Sequence, residues 1–66
     1  MSSNQSWPDL VGKPVDEAVA AIKSENPSLN VIPLEEGSAV TKDLRWDRVR
    51  VFFDANNQVS SVPRTG

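Results

Sequence analysis

The sequence predicts an α+β fold: one helix packed on a small mixed parallel/antiparallel sheet, with a long extended loop projecting from it. Three observations carry that expectation. Val15, Ala18, Val19 and Ile22 recur at helical spacing, the apolar segments Leu29 to Leu34 and Arg48 to Phe53 read as strands, and about a dozen residues lacking tight-turn chemistry separate those strands. A connection of that length suits a parallel pair better than a hairpin.

Taken in order, Trp7-Pro8-Asp9-Leu10-Val11-Gly12 is an irregular entry whose Trp7 is expected to cap a small core. The helix is expected over residues 14 to about 25. Pro14 suits the first helical position, where an N–H would go unpaired anyway, and Asp16 and Glu17 suit the positive end of the helix dipole. Pro27 forbids continuation. About a dozen residues are marginal as an isolated helix, so the apolar stripe must be held against a sheet. In the first strand Pro33 removes one ladder donor, which predicts a strand end, an edge or a bulge. Asp54-Ala55-Asn56-Asn57-Gln58 reads as a turn, with Asn tolerating the left-handed region, and Val59 to Val62 as a short last strand before Pro63.

Sixty-six residues make a single domain, 1–66, with a core near the lower limit for folding unaided; residues 1–6, polar and without the apolar centre of a signal peptide, are expected to form a flexible end. The chain has neither Cys nor His, which excludes disulfides, the usual zinc sites and Ser-His or Cys-His catalysis. Nine carboxylates against seven Lys and Arg give a net charge of -2, too acidic for a domain that binds nucleic acid by overall attraction. No apolar run approaches the roughly 20 residues of a membrane span. A pair of catalytic carboxylates would need a concave site that so small a domain has little room to build. No catalytic residue, metal or cofactor is therefore expected.

The stretch Gly37 to Arg50, GSAVTKDLRWDRVR, holds the functional signal. Its first ten or so residues show neither helical nor strand periodicity, and structureless loops of that length in compact domains are usually functional. In an extended backbone Thr41 and Asp43 face one way and Lys42 the other. Beyond the loop, Arg48 and Arg50 share one face of a strand whose other face carries Val49, Val51 and Phe53, which makes the two arginines natural donors for Thr41 and Asp43. Two other readings compete: a solvated arginine face, and a small nucleic-acid-binding surface built from Arg45, Arg48, Arg50 and Trp46.

These residues resemble the potato inhibitor I family of serine-protease inhibitors over nearly the whole chain. The resemblance rests on Trp7-Pro8-Asp9-Leu10-Val11-Gly12-Lys13, Glu36-Gly37-Ser38, Val40-Thr41-Lys42-Asp43-Leu44-Arg45, Asp47-Arg48-Val49-Arg50-Val51-Phe52 and Val62-Pro63-Arg64 at their spacing. It implies an inhibitor that binds substrate-like through a loop at about residues 36–47. The reactive bond would lie between Lys42 and Asp43, with Ala39, Val40, Thr41, Lys42, Asp43, Leu44 and Arg45 meeting the protease. Arg48 and Arg50 would brace Thr41 and Asp43 from within, with Arg45 assisting. The implied partners are trypsin-like and subtilisin-like serine proteases, engaged by a monomer, with no nucleic acid or membrane involved. The sequence departs from the family pattern at Pro14, Pro33, Trp46 and Thr65. Trp46 stands where several plant members carry a Cys tied to the N-terminal segment.

Overall fold

A computed structural model describes residues 5–41, 43 and 45–66. After a short 3-10 turn, Pro8–Leu10, the chain forms helix α1, Val15–Glu25, and strands β1, Asn30–Glu35, β2, Arg48–Phe53, and β3, Arg64–Thr65. The sheet order is β1-β2-β3, parallel between β1 and β2 and antiparallel between β2 and β3. Both the helix-on-mixed-sheet architecture and the parallel pairing expected from the long connection are observed.

The helix stripe does what its spacing predicts. Val15, Ala18 and Ile22 are buried against Leu29, Val31, Val49, Val51 and Val59, while Val19, Trp7, Leu10 and Phe53 pack at the margin. Trp7 also donates its indole Nε1–H to Glu25 at 3.0 Å, tying the entry segment to the far end of α1. The helix begins one residue later than expected. Pro14 is its N-cap, with ψ 137°, and its carbonyl accepts the Ala18 N–H at 3.1 Å. Proline fixes φ but leaves ψ open, so it serves a cap as readily as a first turn. The Val15 N–H, which has no partner within the helix, donates to the Asn57 carbonyl at 2.8 Å.

Pro33 lies inside β1, opposite Val51, and β1 is an edge strand, one of the three outcomes predicted. The N–H groups of Asn30 and Glu36 both donate toward the β2 side, to the carbonyls of Asp47, just before β2, and Phe53, its last residue. Alternation therefore turns the position of Pro33 away from β2, and the missing donor breaks no ladder bond.

The last strand is not where the sequence placed it. Val59 bonds through its backbone to Gly12 and Lys13 and makes only an isolated bridge to Phe53, so the ladder does not extend along Val59 to Val62. Pairing with β2 resumes only past Pro63, at Arg64–Thr65. The preceding turn is as expected: Asn57 has φ 61° and Asp54 Oδ1 accepts the Asn56 and Gln58 N–H groups. Gln5 and Ser6, assigned by sequence to a flexible end, are tied to β3; Gln5 donates its N–H to Thr65 Oγ1 at 3.0 Å and Ser6 bridges Arg64. Met1 to Asn4 lie outside the described residues.

The parallel pairing dictates the form of the connection. Residues 36–47 must return from the end of β1 to the start of β2, about 20 Å at the rise of a six-residue strand. Of these residues Thr41 and Asp43 are bonded to Arg50 and Arg48, on the sheet face opposite the one whose Val49 and Val51 pack on α1.

Candidate functional site

The loop departs from β1 through a tight turn. Glu36 donates to the Phe53 carbonyl, Gly37 takes φ +84°, and the Ser38 N–H and hydroxyl both donate to the Glu35 carbonyl. A positive φ at the third residue of such a turn is the conformation glycine adopts without a steric cost. Ala39, Val40 and Thr41 then follow, all exposed.

Two guanidinium groups grip this loop, one on each side of position 42. Arg50 donates from Nη2 to Thr41 Oγ1 at 2.8 Å and from Nη1 to the Thr41 carbonyl at 3.2 Å. Arg48 donates from Nη2 to the Asp43 carbonyl at 2.9 Å and from Nη1 to Asp43 Oδ2 at 3.4 Å. Each arginine thus fixes one loop residue at both its main chain and its side chain, an arrangement only a forked, planar donor can make. Alternation along the extended backbone had assigned Thr41 and Asp43 to this inner side, and both reach the arginines. Lys42 and Leu44, assigned to the reactive bond and the contact surface, lie outside the described residues.

Arg48 has a second task that sequence reasoning missed. It is only 8% exposed, and its Nε donates to the Gly66 carbonyl at 3.1 Å, while Gly66 N–H returns a bond to the Arg48 carbonyl at 3.0 Å. The C-terminal segment therefore sits behind the arginine and fixes its direction. Thr65, another departure from the family pattern, is buried and receives the Gln5 N–H. Among the described residues no buried side-chain nitrogen or oxygen lacks a partner.

Among the described residues Arg45 makes no hydrogen bond to Thr41 or Asp43. It forms a two-point ion pair with Asp47, Nε to Oδ1 at 3.3 Å and Nη2 to Oδ2 at 3.2 Å, with both side chains more than half exposed. Pairs in water of this kind contribute little to stability. The hydrogen bonds of Arg45 therefore go to Asp47, and it meets Asp43 only through charge. The pair with Asp47 raises the Arg45 pKa and holds the Asp47 carboxyl below its ordinary value.

The Asp43 carboxyl is also held below its ordinary value of 3.8, by the Thr41 hydroxyl first, then by its own backbone N–H, and then by the charge of Arg48. A carboxyl whose folded pKa is depressed contributes stability that is complete above its unfolded pKa and lost as pH falls through the folded one. The grip on Asp43 should accordingly be whole at neutral pH and released only in strong acid, below 3.8. Following the Asp43 side-chain carbon by NMR during a pH titration checks this: the midpoint should lie below 3.8 in the parent and move up in Thr41→Val. A midpoint at or above that value, unmoved by the substitution, contradicts it.

With Arg48 and Arg50 engaged by the loop and Arg45 by Asp47, the nucleic-acid reading finds no support. A cleft of about 450 Å³ opens between Arg50, Phe52 and Val62, and no carboxylate side chain lines it. Among the described residues no group of His, Cys, Asp or Glu is placed to hold a metal, and no helix is long and apolar enough to cross a membrane.

Comparison with known proteins gives a single answer. The family model described as Potato inhibitor I family matches residues 1–66. The chain is 46% identical over 61 residues to "Protease inhibitor HPI" of Hevea brasiliensis, covering 92% of this chain and 87% of that protein. It is also 46% identical to "Eglin C" of Hirudo medicinalis, over 98% of this chain and 94% of that one. Among solved structures, the bitter gourd trypsin inhibitor superposes with a TM-score of 0.88 at 43% identity, over 92% of this chain and 90% of that one. Matches of this extent, over a fold with the same helix and mixed sheet, place the sequence among protease inhibitors rather than enzymes. The chain belongs to the potato inhibitor I family.

Proposed function

We propose that this protein inhibits trypsin-like serine proteases by presenting the Lys42–Asp43 bond as a substrate that is cut slowly and rejoined. The observation that carries this reading is the pair of arginine clamps on Thr41 and Asp43, on either side of Lys42. A loop already held in extended form loses little conformational entropy on docking, so an interface of roughly 1,600 Å² can bind very tightly. Attack of the protease serine on the Lys42 carbonyl would release the Asp43 amine as leaving group. Arg48 holds the Asp43 carbonyl and carboxylate, so that amine stays beside the acyl-enzyme and religation competes with water. Ala39, Val40, Leu44 and Arg45 complete the contact surface, and subtilisin-like enzymes, which accept varied residues at the cleaved position, are a second target class. Relatives point the same way: the Cucurbita maxima protein, 46% identical, is called an inhibitor of trypsin and Hageman factor, and an Amaranthus caudatus relative, 45% identical, a trypsin/subtilisin inhibitor.

Lys42 presents a cation to a pocket floored by a carboxylate, as in trypsin, whereas the chymotrypsin pocket is apolar. The protein should inhibit trypsin more tightly than chymotrypsin, and Lys42→Leu should reverse that order. Residual activities of both proteases against increasing inhibitor measure it. An order of inhibition unchanged by the substitution would show that Lys42 does not enter the specificity pocket.

A further inference from the structure

Trp46 is 47% exposed, the largest apolar side chain on the described surface, and its indole N–H has no hydrogen-bond partner there. The other tryptophan shows what a structural indole looks like in this domain: Trp7 packs at the core and its N–H is bonded to Glu25. Single exposed apolar residues such as Val11 are ordinary and need no explanation. Trp46 differs in size, in its unused donor and in its position.

That position is held from both sides. The Arg45–Asp47 ion pair spans it, the Arg48 N–H closes the turn onto the Arg45 carbonyl at 3.3 Å, and the Asp47 carbonyl is tied to Asn30 at 2.8 Å. The backbone carrying the indole is therefore fixed, and a tryptophan has only two side-chain torsions left to lose on binding. Two residues, Leu44 and Arg45, separate Asp43 from Trp46, three backbone steps that span at most about 11 Å. A standard interface covers about 800 Å² per partner, a disc of roughly 16 Å radius, so Trp46 falls within its reach. An aromatic side chain ringed by an exposed ion pair also has the composition of an interface anchor with a polar rim.

We infer that Trp46 is a second anchor for the protease, engaging its surface beyond the catalytic cleft on the side of the departing Asp43 amine. The inference rests on the inhibitory role proposed above. The partner surface it fits is an apolar patch on the rim of a serine protease, with a carbonyl or carboxylate oxygen placed to accept the indole N–H. Target preference would then depend on that patch as well as on the specificity pocket, so two proteases with the same pocket would be inhibited unequally.

The test compares the parent with W46A against trypsin and subtilisin, and follows 5-fluorotryptophan-labelled protein by fluorine NMR on adding catalytically inactive protease. The W46F variant assigns the two signals. The expected result is a loss of affinity of about tenfold or more in W46A for at least one protease, at an unchanged melting temperature. The Trp46 signal should shift in the complex while that of Trp7 stays in place. Equal inhibition by parent and W46A overturns the anchor, and so does weakened inhibition with the Trp46 signal unmoved, since the effect would then be indirect. A parent that inhibits neither protease instead overturns the function on which the anchor depends.

Discussion

Replacing Ile22 by alanine is expected to cost about 2 to 5 kcal/mol of folding stability. Ile22 is fully buried where α1 meets the sheet, and the substitution removes three carbons from a site walled by the β-branched side chains of both strands. Those side chains have few rotamers with which to collapse into the space. A chain of this length has roughly 3 to 10 kcal/mol of net stability, so the loss is a large share of the whole. The melting temperature should fall by about 10 °C or more. Because α1 lies on the sheet face away from the loop, inhibition should fall only as the unfolded fraction rises, which parallel thermal denaturation and inhibition curves would reveal. A variant that stays folded at the assay temperature yet fails to inhibit would give the helix a direct role in binding.

The second large effect concerns the two arginines, which the structure separates although the sequence treats them alike. Arg50 is half-buried and among the described residues bonds through its side chain only to Thr41, so Arg50→Ala should leave the fold intact and free the loop just before the proposed reactive bond. A hydrogen bond from a charged donor is worth about 1.5 to 3 kcal/mol. Thr41 is exposed to solvent, so the lower figure applies, and about a tenfold weakening of trypsin inhibition is expected. Arg48→Ala should do more harm. It removes the grip on Asp43 and also the bond that holds Gly66, and it empties a buried position at the start of β2. Stability and inhibition should fall together in that variant. Comparing the two variants by thermal denaturation and by trypsin inhibition separates loss of the loop from loss of the fold.

Much of this architecture is legible in the sequence because it follows from local periodicity. Val15, Ala18 and Ile22 announce the buried face of α1, and the period of two along Arg48-Val49-Arg50-Val51 sends the arginines to one side and the valines to the other. The same alternation assigns Thr41 and Asp43 to the arginine side. Arg45 shows its limit: it has the parity of Thr41 and Asp43, but the chain turns at Trp46, and Asp47 is a nearer carboxylate than any in the loop centre. Contacts between residues far apart in the chain leave no periodic trace. The bond between Arg48 and Gly66 spans 18 positions, and nothing in either segment announces it. The last strand lies beyond the apolar run Val59 to Val62 for a related reason. Val59 has the composition of a strand residue, but Gly12 and Lys13 take its backbone groups first. Pro14 stands at the cap rather than at the first helical position because its fixed φ suits both equally well.

We propose that the arginine clamps, and not the loop sequence alone, make this chain an inhibitor rather than a substrate. Timed incubation of the parent and of Arg50→Ala with trypsin, read by mass spectrometry under denaturing conditions, distinguishes the two. A cut between Lys42 and Asp43 adds one water and yields two chains, residues 1–42 and 43–66. The clamps predict that the parent persists largely intact over a normal assay while Arg50→Ala accumulates the 1–42 fragment. Equal rates of appearance of that fragment in both proteins, with both still folded, would contradict the claim.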